Sequence, residues 1–261
     1  MPFPVPLYPR RIEEVYVARL LRRVRAAQTL LGERLHGVLA RMQADIDARA
    51  LAAAQGDAAS RRDSAETDAL VLLGALDAVR RAFAQAFEPD PAGLEALAGH
   101  LDVFTTRQQQ RVIRGTGVDL LHPRPLHGLY QTWTAENTAL LRSLDERYFA
   151  GVTAAVLAAV RTSAPMDAIT AALRTEYDRT RTRARLIGTD QVGKLNGAVT
   201  QARQTSVGVR RYTWRTRRDE RVRPAHRALD GRVFAWNSAP SDGHPGSAVG
   251  CRCIAEPAPD E

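Results

Sequence analysis

The stretch HPGSAVGCRC, from His244 to Cys253, contains both cysteines of this 261-residue chain. The cysteines are two positions apart, and residues with that spacing point to the same face of an extended strand. Both sulfurs can therefore approach a single ion. Zinc is usually held by four donors, chosen from thiolate sulfur and imidazole nitrogen. With His226 a short distance upstream, the stretch predicts a zinc site of His226, His244, Cys251 and Cys253.

Other uses of these residues stay open on spacing alone. Two buried free thiols with two surface histidines need no metal, and a C-x-C disulfide closes a strained ring. The order also differs from that of a zinc finger, in which C-x₂₋₄-C precedes H-x₃₋₅-H. Asp219 is a further candidate donor, but a salt bridge to Arg217, Arg221 or Arg223 is its simpler role.

The residues around this stretch predict a small β-rich unit over 206–261. VGVRRYTWRT alternates and is rich in strand-favouring side chains, and GRVFAW predicts a second short strand. The rest of the unit reads as turns. It has few large apolar residues, so we expect it to need a staple such as a bound metal.

A run of arginines, RRYTWRTRRDERVR, spans 210–223 in this unit. Arginines interleaved with aromatic residues are typical of surfaces that bind a phosphate backbone or an exposed base. On an alternating strand, however, Tyr212 and Trp214 share one face, and we expect them to pack inward whatever the arginines bind. The candidates for DNA contact are Arg210, Arg211, Arg215, Arg217 and Arg218.

The remainder of the chain predicts helices, because apolar residues recur at steps of three and four. The predicted helices cover about 12–51, 64–87, 92–113 and 129–161, a fifth that begins near Ser163 and Pro165, and a sixth at 179–204. The predicted organisation is an extended arm at 1–11, helical regions at 12–121 and 129–205 separated by a linker at 122–128, and the β-rich unit. The fold class is α+β: an elongated, mainly helical N-terminal region with a small, zinc-tied C-terminal domain.

Composition adds a weaker signal. The formal net charge is +8, and Lys194 is the one lysine among 37 basic residues. An arginine-rich chain follows from codon bias in a GC-rich genome or from a phosphate-binding role. No segment has the roughly 18 apolar residues that would span a bilayer. The proline-rich start is unlike a signal peptide, so we expect a reducing compartment.

The C-terminal sequence resembles a known family. YTWRTRRDERVRPAHRALDGRVFAW, followed by HPGSAVGCRCIAEP, is similar to the C-terminal domain of the phage Mu protein F family of minor head, or head morphogenesis, proteins. The upstream segment ARLIGTDQVGKLNGA resembles the preceding helix of that family, which usually has a glutamate where this chain has Asp190. The resemblance covers roughly residues 165–257. The matching positions are Trp214, Thr216, Asp219, Arg221, Val222, Arg223, His226, Leu229, Gly231, His244, Pro245, Gly250, Cys251, Arg252, Cys253 and Pro257.

This resemblance implies a structural protein of the virion rather than an enzyme. It implies a place inside the capsid at the portal vertex, and the host cytoplasm during assembly. The implied partners are the portal protein, other head proteins and packaged DNA, with several copies around the portal and no membrane. The implied roles are head assembly and genome packaging or delivery, and the family pattern strengthens the zinc prediction.

The alternative is a zinc-dependent hydrolase or a toxin-like effector domain attached to a head protein. The sequence has no G-x-S-x-G, Walker or H-E-x-x-H pattern, so no catalytic residue is predicted. The chain also stops within a few residues of the motif, which leaves no room for an appended catalytic domain. We therefore expect no enzymatic activity.

Overall fold

The computed structural model describes residues 6–54, 61–113, 125–162, 164 and 166–258. In these residues it has long helices followed by a small antiparallel sheet near the C-terminus, which confirms the helical majority and the β-rich end of the predicted α+β fold. The elements are α1 (Arg10–Ala54), α2 (Arg61–Ala86), α3 (Pro91–Ile113), α4 (His127–Arg161), α5 (Met166–Ser206), β1 (Arg211–Arg215), α6 (Pro224–Arg227), β2 (Val233–Ala235) and β3 (Ile254–Ala258).

The helix predictions are close to the observed bounds, with one correction. The predicted fifth and sixth helices are a single helix, α5. The residues between Met166 and Arg179 include no glycine or proline, so nothing in this segment breaks the hydrogen-bond ladder. The predicted start signals Ser163 and Pro165 lie outside the described residues, as do residues 122–124 of the predicted linker and the first five residues of the arm. The last two residues of the predicted linker, His127 and Gly128, are the first two of α4. No helix in the described part of the chain is both long and apolar enough to cross a membrane.

The chain forms two compact units. Unit 1 comprises Met1–Arg19, Asp90–Ala139 and Arg185–Glu261, and it contains the sheet. Unit 2 comprises Leu20–Pro89 and Leu140–Ala184. Its core is an apolar cluster contributed by four helices, in which the inward residues recur every three or four positions. The largest members are Leu31, Leu35, Leu72, Leu76, Phe83, Tyr148, Phe149 and Ile169.

In unit 1, α5 is fixed by buried polar side chains. Asn137 accepts a hydrogen bond of 2.6 Å from the hydroxyl of Tyr16 and donates one of 3.0 Å to Gln191. Further along α5, Arg203 forms an ion pair of 2.6 Å with Asp102. Buried polar groups are costly unless satisfied, so these bonds hold the helix at one register.

The sheet has the order β2-β1-β3, and β1 is antiparallel to both neighbours. The two predicted strands are present, and β3 is a third strand in a segment for which the sequence predicts turns. It contains Pro257, which an edge strand tolerates because its outer side needs no ladder donor. Tyr212 and Trp214 on β1 are completely buried, which confirms that the aromatic face packs inward.

The described part of the N-terminal arm packs on unit 1. The backbone amide of Leu7 donates to Gln108 over 3.3 Å, and the hydroxyl of Tyr8 donates to Glu13 over 2.7 Å. The guanidinium of Arg217 lies 5.5 Å from the centre of the Tyr8 ring. Tyr8 is therefore buried, and the described end of the arm forms an N-terminal strap that contacts Gln108 of α3 and Arg217.

Candidate metal centre

Three of the four predicted zinc donors converge. The Nδ1 atom of His226 lies 3.6 Å from the sulfur of Cys251 and 3.6 Å from the sulfur of Cys253. All three donor atoms lie within 4.8 Å of one another, and all three residues are buried. His226 is on the short helix α6, which begins with Pro224, and the cysteines lie just before β3. Both cysteines are free thiols, so the disulfide alternative does not describe this structure.

These distances fit a tetrahedral zinc ion. With a Zn–S bond of about 2.3 Å and a Zn–N bond of about 2.0 Å, tetrahedral angles place sulfur and nitrogen about 3.6 Å apart. The separation between Nδ1 and each sulfur is that value. The side chains therefore need little rearrangement to hold such an ion.

A carboxylate on the far side of His226 sets the orientation of the ring. Nε2 of His226 lies 3.2 Å from Oδ2 of Asp242, so a proton on Nε2 is held there and Nδ1 keeps its lone pair for a metal. The indole of Trp214 packs edge-on against the same ring at 5.2 Å. Sequence reasoning missed Asp242, because a carboxylate in a loop gives no signal until the histidine beside it is known.

The pKa values of the two thiols shift in opposite directions. The Cys253 thiol hydrogen-bonds to Cys251, and this bond lowers the pKa of Cys251 while it raises that of Cys253. The amide of Gly246 also donates to the sulfur of Cys251, over 3.4 Å. One sulfur is thus stabilised as a thiolate, the form that binds metal.

The fourth predicted donor, His244, is not part of the group. Its Nδ1 atom lies 2.9 Å from the hydroxyl of Tyr212, and its ring lies 4.9 Å from that of Trp236. Burial lowers the pKa of His244, which favours the neutral ring. The described residues therefore supply three donors instead of four, because His244 is used as a packing residue of the small aromatic core.

The loop that carries His244 and Cys251 lies directly on α5. A Cβ atom at Gly193 would be 2.5 Å from the backbone oxygen of Cys251, and one at Gly197 would be 2.3 Å from that of Pro245. Both distances are too short for any real side chain. Only glycine at these positions permits the contact. The two glycines fall within the segment whose sequence resembled the family helix, but the spacing alone did not reveal their role.

Asp190 on α5 fastens the same loop. Its Oδ1 atom accepts a hydrogen bond of 2.9 Å from the amide of Gly250, which precedes the first cysteine. Its other oxygen pairs with Lys194 at 2.9 Å. Gly250 has a φ of +67°, a conformation that glycine adopts without strain. The carboxylate at 190 thus supports the loop that carries Cys251 through the backbone.

Asp219 is a salt-bridge residue, as the simpler prediction had it, but with a different partner. It pairs with Arg252 at 2.9 Å instead of with Arg217, Arg221 or Arg223. Arg252 lies between the two cysteines in sequence, so its side chain points away from them, toward Asp219. The carboxylate is therefore not among the grouped donors.

The five arginines predicted to contact DNA have different surroundings. Arg210 is exposed, whereas Arg215 is paired with Glu256. Arg218 is paired with Asp230 at 3.1 Å, and Arg217 covers Tyr8. The side chains of Arg211, Thr213 and Arg215 are half-buried on one face of β1, opposite the buried aromatic face.

Comparison with known proteins now bears on this site. Residues 150–256 match the family described as Phage Mu protein F like protein. The predicted resemblance is confirmed. An uncharacterized protein of Haemophilus influenzae is 37% identical over 167 residues, which are 62% of this chain and 36% of that protein. The chain thus spans about a third of the length of this curated relative. No solved structure matches the chain.

The Mu F-like segment includes the three donors and the two loop-contacting glycines of α5.

We expect Gly193→Ala to lower the free energy of unfolding by about 1–3 kcal/mol, because the new methyl group overpacks the contact. Urea denaturation followed by tryptophan fluorescence measures this, since Trp133, Trp214 and Trp236 all lie in unit 1.

The matched control is Gly99→Ala on α3 in the same unit, where a Cβ atom meets nothing within 4 Å. Alanine there should be neutral or should stabilise by up to about 1 kcal/mol, as expected for a helix interior. Equal midpoints for the two variants would contradict the close contact of loop and helix.

Proposed function

We propose that this chain is a minor head protein that acts in phage head morphogenesis, with zinc bound by His226, Cys251 and Cys253. The observation that supports this is the coincidence of the family match with the donor group and the helix beneath it. The structural role is favoured over an enzymatic one because a metal staple explains the grouping of both cysteines and the histidine together.

Zinc suits the site because its donors are two thiolates and one imidazole. The aromatic core above β1 is small: six buried residues form it, and the two cysteines are among them. A bound ion ties α6 to the segment before β3, which the sheet ladder alone does not connect. Its binding free energy becomes folding free energy for the unit.

We expect purified protein to contain about one zinc per chain, and His226→Gln or Cys253→Ser to lose it. Asp242→Asn should weaken zinc affinity about 10- to 100-fold, because it removes the partner that orients the His226 ring. Metal analysis by mass spectrometry and competition with a zinc-binding dye measure both effects.

His244→Gln is the matched control, since it changes the same residue type at the predicted fourth donor. It should keep zinc at full stoichiometry, because His244 contacts Tyr212 and Trp236. If it loses zinc as His226→Gln does, then His244 is a ligand after all and the site closes on four protein donors. If the unaltered protein binds no zinc, the proposal that zinc staples this unit is wrong.

The head assignment predicts that the chain enters assembling particles. We propose the portal vertex inside the capsid as its place and the portal protein as its partner, in several copies. Co-expression with the portal protein from the same genome should give a complex on size-exclusion chromatography, and mass spectrometry of purified heads should detect the chain. Absence from heads that contain the portal would contradict the assignment.

We also propose that the C-terminal segment contacts packaged DNA through phosphates. Residues 206–258 have ten arginines against five Asp and Glu residues, a formal net charge of +5. Because Tyr212 and Trp214 are fully buried, stacking on bases has no support, and the contact is electrostatic. Among the predicted residues, Arg215 and Arg218 are paired with carboxylates and contribute less.

The combined change Arg210→Gln with Arg211→Gln should weaken duplex DNA binding and lower the slope of log Kd against log salt by about 1–2. Fluorescence anisotropy over a salt series measures this. The control, Arg22→Gln with Arg25→Gln, removes two exposed arginines of unit 2 and the same charge. An equal loss in both double variants would mean that net charge alone governs binding.

The runner-up function, a zinc-dependent hydrolase, has one observation in its favour. Three protein donors with a position left over are typical of catalytic zinc sites. However, among the described residues that line the cavity beside the donors there is no Asp or Glu to act as a general base. We therefore propose a non-catalytic role for the site.

A further inference from the structure

A small cavity opens beside the three metal donors. Its volume is about 60 Å³, and it is lined by His226 and the two cysteines on one side. One water molecule needs about 10–15 Å³ by this measure, so the cavity has room for a few waters or for one small anion. The other lining residues are Arg217, Arg221, Val222, Arg223, Gly250 and Arg252.

The cavity adjoins the three donors and gives a fourth ligand access to them. A tetrahedral ion bound by His226, Cys251 and Cys253 keeps one position unfilled by the described residues. Three carboxylates around the site are used elsewhere: Asp242 is bound to the far nitrogen of His226, Asp219 is paired with Arg252, and Asp230 is paired with Arg218. Among the described residues no fourth donor joins the group, so an external ligand can complete it.

The charge of the cavity selects an anion. A divalent ion with two thiolates and a neutral imidazole has no net charge, whereas four arginines line the cavity. The guanidinium of Arg221 has no hydrogen-bond partner among the described residues, and that of Arg223 donates to the backbone oxygen of Val249. A guanidinium with unused N–H donors beside a metal attracts an oxyanion, because two of its N–H groups can donate to two oxygens of the same anion.

We propose that the fourth ligand is an oxygen of a phosphate group, inorganic phosphate or a terminal phosphate monoester, held by Arg221. This inference rests on the proposed zinc site. Phosphate is favoured over carboxylate because one phosphate oxygen can bind the metal while two others face the guanidinium fork. A carboxylate has only one oxygen left after it binds the metal.

The test uses the full chain loaded with Co²⁺, whose visible absorption reports the ligands of a tetrahedral site. Titration with inorganic phosphate at constant ionic strength should change the spectrum and saturate, whereas chloride should not. Arg221→Ala should raise the Kd for phosphate about tenfold, since a hydrogen bond to a charged group is lost. It should leave Co²⁺ binding intact, because Arg221 is not a donor.

The matched control is Arg227→Ala, which removes an exposed arginine six positions away that does not line the cavity. It should leave the Kd for phosphate unchanged. An oligonucleotide with a 5′-phosphate, compared with its 5′-hydroxyl counterpart, distinguishes a DNA end from free phosphate as the source. If the phosphorylated oligonucleotide changes the spectrum and free phosphate does not, the ligand is a DNA end. If free phosphate changes the spectrum and the oligonucleotide does not, the ligand is inorganic phosphate.

The outcomes separate this inference from the zinc proposal. Co²⁺ that binds with a spectrum unaffected by either form of phosphate overturns the inference and leaves the metal site standing. A stronger response to acetate than to phosphate overturns the ligand class. Failure of the chain to bind Co²⁺ and Zn²⁺ overturns both proposals together. Equal affinities in Arg221→Ala and Arg227→Ala exclude the guanidinium contact.

Discussion

The contact between the backbone of the 244–251 loop and helix α5 is the constraint on which the site depends. At Gly193 and Gly197 the helix has no side chain, and the carbonyl oxygens of Cys251 and Pro245 occupy that space. Asp190 adds a hydrogen bond to the amide of Gly250 on the same side. Because the loop is held along a rigid helix, the sulfur of Cys251 has a fixed position from which a metal site can be built.

The metal donors are ordered by groups that are not donors themselves. Asp242 orients His226, the amide of Gly246 points at the sulfur of Cys251, and Trp214 packs against the imidazole. Such support brings the donors to distances suited to a tetrahedral ion before any ion binds. Because folding already brings the donors together, an ion that binds them loses little free energy to ordering the side chains. Its binding would then stabilise a small sheet whose core has six buried residues.

The arginines of the C-terminal segment have more than one structural role. Arg252 and Arg215 are tied to carboxylates within unit 1, and Arg217 covers the ring of Tyr8 in the N-terminal strap. These contacts stabilise the unit, and the ion pairs neutralise part of its positive charge. A run of basic residues in a sequence therefore overstates the charge that a surface offers, because some of it is neutralised within the fold.

The sequence by itself determined the identity of the soft donors, the helical periodicity of most of the chain and the inward aromatic face of β1. Each of these follows from local chemistry: ligand type, a repeat of 3.6 residues, and alternation along a strand. It also predicted the resemblance to the family described as Phage Mu protein F like protein, which residues 150–256 match. Only the tertiary structure decided which histidine joins the cysteines. His226 and His244 look alike in sequence, but His226 faces the sulfurs, whereas His244 is turned toward Tyr212. The roles of Asp242, Gly193 and Gly197 were likewise decided by distance in space, because residues far apart along the chain meet only once the helix, the loop and the sheet are packed.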